Sequence, residues 1–69
     1  MKVIKLDRSQ SAVEYAQALL TRCQAGEVVA VTAVEELPGG AYRLEGSSVA
    51  SRTQTAGMLL DAAITRLQA

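Results

Sequence analysis

At 69 residues the chain has room for one small domain and no second core. Seven Lys and Arg balance seven Asp and Glu, so the formal net charge is zero, and Tyr15 and Tyr42 are the only aromatic residues. That composition argues against a nucleic-acid binder, which carries a basic excess or aromatic platforms for base stacking.

Lys2-Val3-Ile4-Lys5-Leu6 is short and rich in β-formers, and its charged positions suit an edge strand. Asp7-Arg8-Ser9-Gln10 breaks the pattern. Ser11-Ala12-Val13-Glu14 then matches a capping box, in which Ser and Glu satisfy each other's exposed amides. Asp7 and Ser9 are competing caps that would start the helix two to four residues earlier. Ala12, Tyr15/Ala16, Leu19/Leu20 and Cys23 recur at helical spacing and predict a first helix to about Ala25. Gly26 stands where a left-handed C-cap is wanted.

Glu27-Val28-Val29-Ala30-Val31-Thr32-Ala33-Val34 is the only continuous apolar run, and its β-branched content predicts the central strand. Pro38-Gly39 predicts a type II turn, and Ala41-Tyr42-Arg43-Leu44-Glu45 alternates, placing Tyr42 and Leu44 inward and Arg43 and Glu45 outward. Together these form a β-hairpin. A second helix begins within Ser51 to Thr55 and runs to about Leu67, with Ala56, Leu59/Leu60, Ala63/Ile64 and Leu67 as its stripe. Gly57 inside it costs about 1 kcal/mol relative to Ala, which suggests close backbone packing. The expected fold is α+β, in the order β-α-β-β-α, with a three-stranded sheet and two helices packed on one of its faces.

The central strand is apolar on both faces: Val28, Ala30, Thr32 and Val34 on one, Val29, Val31 and Ala33 on the other. Leu19, Leu20, Leu60 and Ile64 account for one face, and nothing left in the chain accounts for the other. Chains of this size bury only about 60% of their unfolded surface and depend on disulfides, a metal or oligomerisation. Cys23 is the only cysteine and there is no histidine, so no intrachain disulfide or Cys/His zinc site is expected. A homodimer follows by elimination. No apolar run approaches transmembrane length, Met1–Lys5 is too short and polar for a signal peptide, and a lone thiol suits a reducing compartment. A cytoplasmic protein with no membrane contact is expected.

Chemistry-bearing residues are few. The best candidate site is the polar segment Gly46 to Thr55, where Ser47, Ser48, Arg52 and Thr53 precede or open a helix and Arg43 lies on the neighbouring strand. Free amides at a helix start beside Arg suit an anion such as a nucleotide phosphate. The competing reading is an ordinary solvated connection with Ser/Thr caps. Cys23 has no histidine to activate it and falls on the apolar stripe, which points to a buried structural thiol. Asp7, Glu35, Glu36 and Asp61 show no ligand or acid/base spacing, and no Ser-x-x-Lys motif occurs. No catalytic set, cofactor or metal is expected, and the chain reads as a non-enzyme. Glu35-Glu36 beside Pro38-Gly39-Gly40 makes either a soluble hairpin end or an acidic tip for a basic partner.

Gly26-Glu27-Val28-Val29, Gly39-Gly40, Gly46-Ser47 and Gly57-Met58-Leu59-Leu60-Asp61-Ala62-Ala63 resemble the pattern of small phage- and prophage-encoded α/β proteins of unknown function. The likeness spans most of the chain through fold-forming residues, although the Trp of such Gly-Ser segments is missing. It implies a bacterial or phage accessory protein that blocks a host factor. Two functions stand as expectations: a dimeric interaction protein, and a protein that sequesters a nucleotide or cyclic nucleotide near Gly46–Thr55.

Overall fold

A computed structural model describes all residues, Met1–Ala69. The chain divides into two units, residues 1–29 together with Ala69, and residues 30–68. The fold is α+β, with two helices and one two-stranded antiparallel sheet.

The first unit is built on α1, Ala12–Gln24. Ser11 caps it, its Oγ accepting from the Glu14 amide at 3.1 Å while the Glu14 carboxylate accepts from the Ser11 amide at 3.3 Å. The reciprocal pair satisfies two donors that the helix leaves without carbonyl partners. At the other end Gly26 takes φ 80°, open to glycine at no steric cost. The Gly26 amide donates to Cys23 O and the Glu27 amide to Arg22 O, the two bonds of a Schellman motif. Before the helix, Asp7 accepts from the Ser9 amide and hydroxyl, so the competing caps form a turn of their own. The expected first strand does not form: Lys2–Leu6 joins no ladder, and the sheet has two strands, not three.

The second unit holds β1 (Thr32–Glu36), β2 (Tyr42–Gly46) and α2 (Arg52–Gln68). Gly39 at φ 83°, ψ 10° adopts the third position of the expected type II turn. The register pairs Thr32 with Gly46, Val34 with Leu44 and Glu36 with Tyr42. Only the last part of the apolar run therefore becomes strand. Opposite Val31 stands Ser47, and beyond it the chain leaves for α2, so Val28–Ala30 meet no ladder and stay irregular. Strand propensity describes how well a side chain suits a paired, half-buried surface, and without a paired neighbour it does not make a strand.

The second helix starts at Arg52 inside the expected window, with Ser51 as its cap: Ser51 Oγ accepts from the Gln54 amide at 3.1 Å. Pairing of β1 with β2 is the one extended contact between elements of this unit, so α2 is not laid along the sheet. A Cβ on Gly57 would meet nothing within 4 Å, which removes the close packing expected there. No residue of either unit is buried. Tyr42 and Leu44, expected inward, are 73% and 62% exposed, and Leu20, Leu60 and Ile64 are likewise exposed. No helix is long and apolar enough to cross a membrane.

Candidate functional site

Alternation along the hairpin separates two chemistries. One face carries Val34, Leu44 and Tyr42 with Thr32, Glu36 and Gly46; the other carries Ala33, Glu35, Arg43 and Glu45. On the polar face Arg43 Nη2 lies 2.7 Å from Glu35 Oε1 across the ladder, and Arg43 Nε lies 3.4 Å from Glu45 Oε1 along its own strand. All three side chains remain about half exposed, so each pair contributes at most about 1 kcal/mol. Glu35 is thus engaged within the hairpin, leaving Glu36 as the other carboxylate of the expected acidic tip. On the apolar face a shallow concavity of about 400 Å³ lies at the turn, lined by Val34, Glu36, Leu37, Gly40, Ala41 and Tyr42.

The open end of the hairpin is closed by a clamp. The Ser47 amide donates to Val31 O at 2.8 Å, while Ser47 Oγ accepts from the Val31 amide at 3.0 Å. The hydroxyl thereby stands in for the strand carbonyl, and the chain can turn away one residue after β2. Ser47 Oγ also donates to Ser48 O at 3.2 Å. Gly46 lets the two backbones approach, because a Cβ there would collide with Val31 O and lie 3.0 Å from Thr32 Cα.

Of the five residues expected to bind an anion, Arg43 is held by carboxylates and Ser47 is spent on the clamp. Ser48, Arg52 and Thr53 are exposed, the last two opening α2 behind the Ser51 cap. None of the five lines the concavity at the turn. Composition marked Ser47 as a site residue, but the partner of its hydroxyl follows from register, which composition does not contain. Ser51-Arg52-Thr53-Gln54 carries the readable Ser-x-x-Gln signal of a helix start.

Cys23, expected to be buried, is exposed. Tyr15 and Arg22 make a cation–π contact on the same helix, with the guanidinium carbon 5.9 Å from the ring centroid. The Asp7 carboxyl is held below its ordinary value by the Ser9 hydroxyl, then by the Ser9 amide and the charge of Lys5. No three of the chain's Cys, Asp and Glu side chains gather into a group able to hold a metal ion. The surfaces with defined geometry are therefore the hairpin's apolar face and its edges. No family model, curated protein or solved structure matches the chain.

Proposed function

We propose that this chain is a non-enzymatic interaction protein that works as a homodimer, in the role of a phage or bacterial accessory factor that occupies a host protein. The observation that carries the reading is the hairpin's exposed apolar face, Val34, Tyr42 and Leu44, in a chain without one buried residue. Contiguous apolar surface of this kind marks an interaction site, and a domain this small gains stability most simply from a second copy.

Sedimentation over a range of concentrations tests the proposal. A dimer at low micromolar concentration is the expected result, and a folded monomer there contradicts it. The nucleotide-sequestering alternative would draw on Ser48, Arg52 and Thr53, since Arg43 and Ser47 are engaged in the hairpin. A thermal-shift screen separates the two: a nucleotide at 100 times its dissociation constant would add about 2.7 kcal/mol of stability, whereas an interaction protein shows no shift.

A further inference from the structure

The ladder's phase fixes which peptide groups are unpaired. Leu37 donates to Ala41 O and Ser47 donates to Val31 O, so both pairs are of the hydrogen-bonded type. In an antiparallel ladder the two types alternate. Glu35–Arg43 and Ala33–Glu45 are therefore hydrogen-bonded pairs, while Thr32–Gly46, Val34–Leu44 and Glu36–Tyr42 are not. The amides and carbonyls of Tyr42, Leu44 and Gly46 point away from β1 and form the free edge of β2. Those of Thr32, Val34 and Glu36 form the free edge of β1.

We propose that two copies of the chain join antiparallel along the β2 edge, about a two-fold axis at Leu44, to give one sheet in the order β1-β2-β2-β1. The inference rests on the dimer reading above and specifies its seam, which closes the β2 edge and joins the two apolar faces into one that stays open to a further partner. An axis at Leu44 sets Leu44 against Leu44, Tyr42 against Gly46 and Arg43 against Glu45, each pair occurring in both senses. Every member of the Leu44 and Tyr42–Gly46 pairs has an outward amide and carbonyl, so the six free amides at this edge find six carbonyls. On the polar face, Arg43 of each copy meets Glu45 of the other, which extends the cross-strand ion pair that Arg43 already makes with Glu35. On the apolar face the Tyr42 ring lies over the bare backbone of Gly46, a cover that compensates a strand glycine. Val34 and Leu44 of both copies then form one apolar strip.

The β1 edge is the poorer candidate on charge. An axis at Val34 would set Ala33 against Glu35 and Thr32 against Glu36, so no carboxylate of β1 would gain a cation across the seam. The self-complementary order Tyr42-Arg43-Leu44-Glu45-Gly46 favours β2.

The test combines charge exchange with cross-linking, both read by sedimentation of the full chain. Arg43→Glu puts carboxylates on both sides of the seam and Glu45→Arg puts guanidiniums there, so each variant alone should associate at least about tenfold more weakly than the parent. Mixed in equal amounts, the two should recover association, because opposite charges face each other again. In a Cys23→Ser background, Leu44→Cys should oxidise to a disulfide-linked dimer, since hydrogen-bonded antiparallel pairs set Cα atoms about 5.5 Å apart, within disulfide reach. Val34→Cys in that background should not. Where a charge variant unfolds the hairpin, the cross-link decides the matter. A parent dimer with both charge variants unweakened and no Leu44→Cys cross-link overturns the seam while leaving the dimer reading intact. A monomeric parent overturns both.

Discussion

Helix α1 and the β1–β2 hairpin satisfy their backbones in opposite ways. Around α1 the orphan groups are met within a few residues: Ser11 and Glu14 exchange bonds at the start, and Gly26 and Glu27 return to Cys23 and Arg22 at the end. The hairpin satisfies one side of each strand and leaves the other open, and its apolar face is uncovered. Helix termini are closed by local sequence, whereas a sheet edge is closed by another strand or a covering segment from elsewhere. The difference explains why α1 is closed at both ends while the outer edges of β1 and β2 are open.

The largest effect should come from the hairpin's open end. Gly46→Ala places a methyl group against Val31 O, a backbone atom that has no flexible side chain to yield. The clamp between Val31 and Ser47 must then open or the strands must part, with an expected loss of about 1–3 kcal/mol in the hairpin. Amide exchange at Val31 and Ser47 reads it directly. Protection should fall there while the Gly26 and Glu27 amides, bonded within their own helix end, keep theirs. Equal loss at both places would show that the hairpin and α1 are not independently satisfied.

The converse substitution acts on α1. Ser11→Ala removes the acceptor of the Glu14 amide and half of the capping box, at an expected cost of about 1 kcal/mol in helix stability. Helical chemical shifts over Ala12–Tyr15 should fray, and the Ser47 amide should not respond. A still smaller change of opposite sign is expected in α2. Since nothing lies within 4 Å of a Cβ on Gly57, Gly57→Ala carries no steric penalty and should raise helix stability by about 0.5–1 kcal/mol. Increased ellipticity at 222 nm and a higher melting temperature check it; a fall would mean that the glycine is needed for a close approach in the associated state.

The same contrast governs what was legible in the sequence. Ser11–Glu14, Gly26, Pro38–Gly39 and the Ser51–Gln54 start lie in signals spanning a few residues, and each predicts an end or a turn that the structure has. Lys2–Leu6 and Val28–Ala30 carry strand composition but join no ladder, and residue-by-residue propensity does not reveal that. Cys23, Leu20, Leu60 and Ile64 fall on apolar stripes and are nevertheless exposed, because periodicity states which side chains share a face and not what covers it. Of the candidate anion site, the positions of Ser48, Arg52 and Thr53 were readable, while the engagement of Arg43 and Ser47 depended on a register that composition does not carry.

The smallest expected effect separates the segment before α1 from both regions. Asp7 Oδ1 accepts from the Ser9 hydroxyl at 2.7 Å and from the Ser9 amide at 2.9 Å, and these bonds favour the carboxylate over the acid. Its value in the folded chain is therefore below that in the unfolded chain, so the unfolded state binds more protons in the interval between them. The stabilisation of the turn is fully present above the unfolded value and is lost as pH falls through the lower, folded one. The carboxyl is fully exposed, so the loss should register as a local change rather than a global transition. The Ser9 amide shift should follow the Asp7 titration, Asp7→Asn should abolish that dependence, and the Glu14 amide, bonded to Ser11 Oγ, should not share the midpoint. A common midpoint at Ser9 and Glu14 would instead join the turn to the helix cap as one cooperative element, extending locally closed structure from Asp7 through Glu27.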